Sequence, residues 1–384
     1  MYDSETPLGI YVHIPFCVRK CRYCDFLSGP AGRQTRERYI QRLKEEIGLF
    51  EPEENCRAES VFFGGGTPSL LEGEELAGLM EKIKAAFPRR NPDWEVTVEC
   101  NPGTVTEDKL AAYRQAGVNR LSFGLQSADE EELRILGRIH TWKEFEQNYR
   151  LARRMGFENI NVDLMFGLPG QTEESWRSTL EKVLELKPEH ISAYSLIIEE
   201  GTPFYRLYGE GRTPDGEPAL PDEDAERAMY KETERILKRA GLNRYEISNY
   251  SLPGRESRHN CGYWRRIPYA GFGLGASSQL NRLRFKNTDS LEAYLEGDFS
   301  KREVLVLTRD NEIEETMFLG LRMMEGVNVR RFKETFGTDL EVIYRPQIER
   351  MEKLGLLAIR GGNLCLTERG IDVSNQVLAE FLLD

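Results

Sequence analysis

Tyr11-Val12-His13-Ile14-Pro15-Phe16-Cys17-Val18-Arg19-Lys20-Cys21-Arg22-Tyr23-Cys24-Asp25-Phe26 is the stretch on which the reading of this chain turns. An apolar strand beginning at Gly9 and reaching Ile14 runs directly into three cysteines spaced C-x₃-C-x₂-C. Thiolates hold iron-sulfur clusters, and a 4Fe-4S cube given only three of them keeps one iron free for an outside ligand. A structural zinc site wants four closed ligands, and neither Cys56 nor Cys100 arrives as the usual second pair. The cluster is the favoured reading, with zinc or plain core thiols as the alternatives.

The composition fits an enzyme-sized intracellular chain. Its 384 residues predict about two domains, a larger catalytic one and a smaller appendage. Asp and Glu number 64 against 52 Lys and Arg, and the formal charge of −12 argues against wholesale binding of phosphate backbones. Nucleic acid is therefore not an expected partner. Seven cysteines is an odd count, and the opening M-Y-D-S-E-T-P-L-G lacks the basic and apolar regions of a secretory signal. Reduced thiols in a cytoplasm are expected. No apolar run approaches the ~20 residues of a membrane span.

Outward from the cysteines, strands and helices alternate. Gly9 to Ile14, Ser60 to Phe63, Glu95 to Glu99, Asn119 to Gly124, Asn159 to Phe166 and Ile191 to Leu196 read as strands. A helix starts with Thr35 as its N-cap and sets Tyr39, Leu43, Ile47 and Phe50 near one face. Others run from Glu74 to Phe87, Thr106 to Ala116, Trp142 to Met155 and Thr172 to Leu186. Repeated βα units imply a parallel sheet with helices packed outside it. Six units fall short of the eight that close a barrel, so the expected fold class is α/β, an open partial (β/α)6 barrel.

In barrels of this kind chemistry gathers at the C-terminal ends of the strands. The first strand leads to the cysteines. The second ends in Gly64-Gly65-Gly66-Thr67-Pro68, where absent side chains let backbone come close to a ligand. The third ends at Glu99, the fourth leads to Gln126, with Arg138 one helix later, and the fifth carries Asp163 ahead of Gly167-Leu168-Pro169-Gly170. Each alone is as often a turn or a helix cap; their common register at strand ends is the signal.

C-x₃-C-x₂-C is the signature of the radical S-adenosylmethionine (SAM) superfamily, which the chain resembles; there the free iron chelates the amino and carboxylate groups of SAM. The cysteine run, with F-F-G-G-G-T-P-S-L-L, L-S-F-G-L-Q-S and V-D-L-M-F-G-L-P-G-Q-T, further resembles the oxygen-independent coproporphyrinogen III oxidase family, HemN, and its relative HemW, over nearly the whole chain. The resemblance implies Tyr11 at a first SAM and Tyr23 beside its adenine. It implies backbone contacts to SAM from Gly65, Gly66 and Thr67, and Glu99 meeting its ribose or amino group. Gln126, Arg138 and Asp163 match positions that line a second SAM site in the oxidase.

Two departures separate the branches. The oxidase pattern extends to a fourth cysteine, where this chain has Phe26, and His259-Asn260-Cys261-Gly262-Tyr263-Trp264 matches the H-N-x-x-Y-W motif of HemW. Neutral imidazole is a common haem ligand, and Tyr263 and Trp264 offer flat apolar faces to a porphyrin. On spacing alone the motif reads as a packed aromatic turn; the HemW resemblance turns it into a haem site of His259, Tyr263 and Trp264. Of the other histidines, His13 is expected to orient the cysteine loop, and His140 and His190 to be surface or strand-edge residues.

Beyond residue 300, helices from Glu312 to Met324, Val329 to Phe336 and Leu340 to Leu354 precede a hairpin from Leu357 to Leu366 and a mostly helical end from Thr367 to Phe381. This resembles a winged-helix module, without the Arg and Lys cluster that would meet phosphates. Gly201 to Asp222 reads as a loop or lid. The expected organisation is a core over 1–200, a lid and connector with the His259 motif over 201–300, and a mostly helical winged-helix-like domain over 301–384. The leading reading is a haem chaperone on a radical SAM scaffold, carrying a 4Fe-4S cluster, SAM and haem, and delivering haem to an acceptor protein. The rivals are a coproporphyrinogen-decarboxylating enzyme and a cluster-sensing winged-helix regulator. A homodimer is compatible with either of the first two.

Overall fold

The computed structural model describes residues 5–212 and 215–383, so the first four residues of the chain and part of the expected lid lie outside the described residues. Six strands follow one another with helices between them: β1 (Thr6–Ile14), α1 (Arg33–Leu49), β2 (Cys56–Gly65), α2 (Gly73–Ala86), β3 (Arg90–Cys100), α3 (Glu107–Ala116), β4 (Arg120–Gln126), α4 (Glu130–Leu136), α5 (Trp142–Arg154), β5 (Ile160–Phe166), α6 (Glu173–Glu185) and β6 (His190–Ser195). All six pair in parallel with their sequence neighbours. Period-two alternation explains the layering. On β4, Leu121, Phe123 and Leu125 are buried on the side of the helices, Phe123 meeting Phe145 of α5 with ring centroids 6.0 Å apart. Arg120, Ser122 and Gln126, the alternate residues, turn the other way.

The chain then adds α7 (Pro203–Tyr208), α8 (Glu223–Arg239), the hairpin β7 (Asn243–Glu246) and β8 (Asn249–Ser251), α9 (Arg258–Trp264), β9 (Tyr269–Phe272), β10 (Ser277–Leu280), β11 (Leu283–Lys286), α10 (Leu291–Leu295) and β12 (Arg302–Val306). They extend both edges of one 12-stranded sheet, ordered β12-β11-β10-β9-β1-β2-β3-β4-β5-β6-β8-β7. Its two ends do not meet, so the barrel is open, as expected. The parallel part is nevertheless larger than six strands, because β9 pairs in parallel with β1, Gly9 opposite Tyr269. That strand is too short and too glycine-rich to stand out in the sequence. The outermost strand, β12, leaves Val304, Leu305 and Val306 about half exposed or more.

Several local expectations change. The cap of α1 is Gly32, not Thr35: Arg36 N–H bonds to Gly32 O, and the exposed Arg33 and Gln34 supply a first turn that apolar periodicity does not reveal. The stretch from Gly201 to Asp222 contains α7, capped where Thr202 Oγ1 accepts from Tyr205 N at 3.1 Å. Its Phe204 and Tyr208 bury against Ile135, Leu136, Met165 and Leu168. His140 and His190 are buried rather than superficial.

The C-terminal module comprises α11 (Arg309–Gly320), β13 (Val327–Asn328), α12 (Val329–Phe336), α13 (Leu340–Lys353), β14 (Leu357–Arg360), β15 (Asn363–Leu366), α14 (Glu368–Asp372) and α15 (Ser374–Ala379). It has its own core around Met317, Phe332, Tyr344, Leu364 and Phe381. Gly361 and Gly362, at φ 56° and 82°, make the tight turn of its β14–β15 wing.

The glycine loop after β2 serves the chain first. Gly66 N–H donates to Ile14 O at 2.8 Å and Thr67 N–H to Phe16 O at 2.7 Å. A Cβ on Gly66 would lie 2.6 Å from Phe16 O and 2.9 Å from Ile14 O. The space its missing side chain leaves is therefore occupied by the approach to Cys17, and an alanine is not tolerated as a mild change. Gly66→Ala should cost about 1–3 kcal/mol in chemical denaturation through overpacking. Gly29→Ala, where nothing lies within 4 Å, should stay within about 0.5 kcal/mol of wild type.

Candidate functional site

At the C-terminal ends of the strands lies a cavity of about 450 Å³. Cys17, Cys21, Cys24 and Tyr23 from the loop after β1, Gly65, Gly66 and Thr67 after β2, Glu99 at the end of β3, Gln126 at the end of β4, Arg138 after α4 and Asp163 on β5 all line it. The residues picked from scattered strand ends thus share one chamber. Tyr11 is not among its lining residues. It stands deeper, its hydroxyl donating to His13 Nδ1 at 3.0 Å, while His13 Nε2–H donates to Leu27 O at 2.9 Å. His13 does tie down the cysteine loop, from its far side.

Burial raises the thiols of Cys17 and Cys24 above the usual cysteine range, so on their own they stay protonated. Arg138 Nη1 donates to Cys21 Sγ at 3.6 Å. Among the described residues no three His, Cys, Asp or Glu are grouped as one metal ion requires. Three thiols around an open chamber, with a cation beside one of them, fit the wider 4Fe-4S cluster, whose iron charge would take all three as thiolates. Arg138 also donates through Nη2 to Asn101 Oδ1 at 3.0 Å and to Gly124 O at 2.5 Å, and Asn101 Nδ2 reaches Thr67 Oγ1 at 2.8 Å. One guanidinium joins three strand ends to the cysteine loop.

Below the thiols the wall is polar and self-bonded. Glu99 Oε2 accepts from Gly65 N–H at 3.2 Å. Asp163 accepts from Asn161 Nδ2 at 2.7 Å and Ser122 Oγ at 3.1 Å. Asn161 Oδ1 accepts in turn from His190 Nδ1 at 2.6 Å and Ser192 Oγ at 3.2 Å. Tyr194 donates to Gln126 Oε1 at 3.1 Å. Buried Arg120 supplies the positive charge that both carboxylates feel. Burial, and then the nearby Asp163, push the Glu99 carboxyl up to about 8. Asp163 is also raised, by burial. Glu95, Asn101, Arg120, Ser122, Asn161, Ser192 and Tyr194 escaped the sequence reading. Their signal was the polar residue at every second place of an apolar strand, as in I-N-V-D-L of β5.

The second motif is not one surface. α9 lies across the first half of β2 and β3, where Glu95 accepts from Arg258 N–H and His259 N–H, both at 3.1 Å. His259 is 3 % exposed. Its Nδ1 is hydrogen-bonded to the Ser60 hydroxyl and its Nε2 to the Tyr263 hydroxyl, each at 2.9 Å, and its ring stacks on Phe62. Burial, then Arg120, lower it to about 3, so the imidazole is neutral. Both ring nitrogens of His259 are thus engaged by neighbouring hydroxyls in this structure. Tyr263, one helical turn on, caps that histidine. Trp264 points away from both, and Arg322 covers its ring at 4.4 Å. Cys261 is buried and does not line the chamber.

A raised carboxyl has a definite signature. Glu99 stays protonated in the folded chain up to about pH 8 but ionises near its ordinary value when unfolded. Between those values the folded state binds the extra proton, so stability falls as pH rises from about 4.5 to about 8 and levels off above. Glu99→Gln should flatten that part of the stability profile measured by urea unfolding at successive pH values. An unchanged slope would mean that Glu99 ionises normally.

Comparison with known proteins agrees with this geometry. Residues 11–183 match the model of the radical SAM superfamily and residues 307–373 that of the HemN C-terminal domain. The heme chaperone HemW of Lactococcus lactis is 38% identical over 99% of this chain and 98% of its own length. The heme chaperone HemW of Bacillus subtilis is 37% identical over 97% and 98%, and that of Escherichia coli 36% over 98% and 99%. The structure of coproporphyrinogen III oxidase (HemN) from Escherichia coli, a radical SAM enzyme, superposes with a TM-score of 0.83 at 24% identity, covering 99% of this chain and 91% of that one. That match establishes the shared fold. With near-complete relatives well above 30% identity, this chain belongs to the HemW family, and its cysteine-bearing barrel is a radical SAM domain.

Proposed function

We propose that this protein binds haem and hands it to haem-dependent acceptor proteins, holding a 4Fe-4S cluster on Cys17, Cys21 and Cys24 with SAM beside it. The observation that carries this reading is the end-to-end similarity, 36–38% over 97–99% of the chain, to proteins named heme chaperones. When bound, such a cluster supplies an open iron for the amino and carboxylate groups of SAM and a source of electrons. The chain's own residues set the surroundings. Arg138 steadies Cys21, Tyr23 offers a flat wall inside the cysteine loop, and protonated Glu99 stands where a polar group of SAM would need a donor. Gln126 and Asp163 line the same chamber, and the likeness to the oxidase supports reading them as positions for a second SAM.

A coproporphyrinogen oxidase is less well supported. Phe26, where the oxidase pattern has its fourth cysteine, stands 60 % exposed at the chamber rim. A DNA-binding regulator is disfavoured by the last helix, α15, which carries neither Lys nor Arg. No helix among the described residues is long and apolar enough to cross a membrane. We assign the protein to the cytoplasm, supported by seven cysteines that are all free thiols. A homodimer remains part of the reading, to be read from the mass of the cluster-loaded sample.

The test is anaerobic cluster reconstitution followed, on one sample, by haem titration and a coproporphyrinogen III assay. Saturable haem binding without release of carbon dioxide is expected; steady decarboxylation would overturn the chaperone reading. Cys17→Ala, Cys21→Ala and Cys24→Ala should each lose the cluster absorbance and EPR signal. Cys56→Ala and Cys100→Ala should keep both, because Cys56 lies outside the chamber and Cys100, at its wall, is 1 % exposed with its thiol turned to Val98 O.

A further inference from the structure

Arg22 stands between Cys21 and Tyr23 in the cysteine loop, yet it is not one of the residues that line the cluster chamber. It turns outward and is met by two elements far from it in sequence. At the end of α4, Leu136 O accepts from its backbone N–H at 3.0 Å and Ile135 O from its Nη1 at 3.3 Å. Gly137, at φ 76°, permits that approach, since a Cβ there would lie 3.2 Å from Arg22 Cγ. On the other side, Phe204 N–H, from the second residue of α7, donates to Arg22 O at 2.9 Å.

The guanidinium is held on that second side as well. Arg22 Nη2 donates to Glu217 Oε1 at 3.0 Å, and the guanidinium carbon lies 5.4 Å from the centre of the Phe204 ring. With side chains 30 % and 33 % exposed, the ion pair is screened less than one on the open surface. Neither partner is free to follow the loop. Phe204 is fully buried against its own apolar cluster, and the chain beside Glu217 is pinned where Pro218 O accepts from the Tyr208 hydroxyl at 2.9 Å and Ala219 O from Gly170 N–H at 2.8 Å. Cys24, by contrast, bonds through its N–H within the loop itself, to Cys21 O at 3.4 Å. Its place is inherited from the residues before it.

We propose that Arg22 is a positioning residue for the cluster: clamped between the end of α4 on one side and Phe204 and Glu217 on the other, it sets where Cys21 and Cys24 present their sulfurs and where Tyr23 presents its ring. The proposal rests on the cluster reading above and adds to it residues that stand behind the ligands, outside the chamber. Ligands hold a metal group only as firmly as the groups behind them fix their geometry. The stretch after Gly201 thereby has a use other than that of a lid, because α7 braces the cysteine loop from its outer side.

The experiment loads the full-length protein with its cluster anaerobically and follows the loss of cluster absorbance to the iron chelator bathophenanthroline. EPR spectra of the dithionite-reduced samples are compared before and after SAM is added. Arg22→Glu and Glu217→Arg each set like charges against one another and should speed cluster loss about tenfold, the scale on which groups behind metal ligands act. Glu217→Gln, which removes the charge without repulsion, should fall between them and wild type. The double variant Arg22→Glu with Glu217→Arg restores an opposite pair, so it should recover most of the retention, the wild-type EPR line shape and its change on SAM. Arg206→Glu makes the same charge change on the exposed face of α7 and should alter the rate less than about twofold. Wild-type retention in all three single variants of the pair would overturn the clamp and leave the cluster reading intact. Faster loss that the double variant does not repair would also overturn it, since damage to folding is not undone by exchanging two charges. Failure of the wild-type protein to take up a cluster would overturn the reading on which the proposal rests.

Discussion

The hydrogen bonds from Gly66 and Thr67 to Ile14 and Phe16 carry the β1–β2 ladder past the point where the strands end. Everything at the mouth of the barrel depends on that extension. A loop with three thiols has little apolar mass of its own to hold it. It is held instead by backbone, by His13 reaching Leu27, and by Arg138 reaching Cys21. Each contact comes from a different strand or helix, so the thiol positions inherit the rigidity of the sheet. The glycines are needed because a side chain would separate the two backbones.

The same sheet imposes a second constraint. A parallel strand exposes every other residue to the interior, and an open barrel this size is not filled by side chains. The interior therefore holds polar groups that satisfy one another: Asp163 with Asn161 and Ser122, Asn161 with His190. Unpaired, each would cost about 1–3 kcal/mol to bury. α9 completes the arrangement from below, its first two free N–H groups taken by Glu95 and its histidine locked between Ser60 and Tyr263.

The architecture was readable because it is written in periodicity. The β1–β6 strands and the helices between them show apolar alternation that survives in a single sequence, and motif spacing placed the chamber at their ends. What was not readable depends on contacts distant in sequence. His190 looked like a strand-edge residue because nothing local reveals Tyr245, 55 positions away, donating to its Nε2 at 2.9 Å. His259 gave no local sign of its neighbours, because only the tertiary position of β2 brings Ser60 and Phe62 against its ring. β9 escaped notice because a four-residue run has almost no period to detect. α1 began earlier than its apolar face, since solvent-facing first turns carry no hydrophobic mark.

The outermost strand has an implication of another kind. β12 presents Val304, Leu305 and Val306 beside a row of backbone groups that no strand among the described residues pairs with on that side. Such a margin is a template on which any extended peptide can continue the sheet, including one from a misfolded copy of the same chain. Two features oppose this. The strand spans only five residues, and Glu303 sits at φ 48°, a kink that interrupts the straight row a newcomer would need. Relaxing that kink, by exchanging Glu303 for a residue more at home in an extended strand, would trade solubility for a longer, flatter sheet.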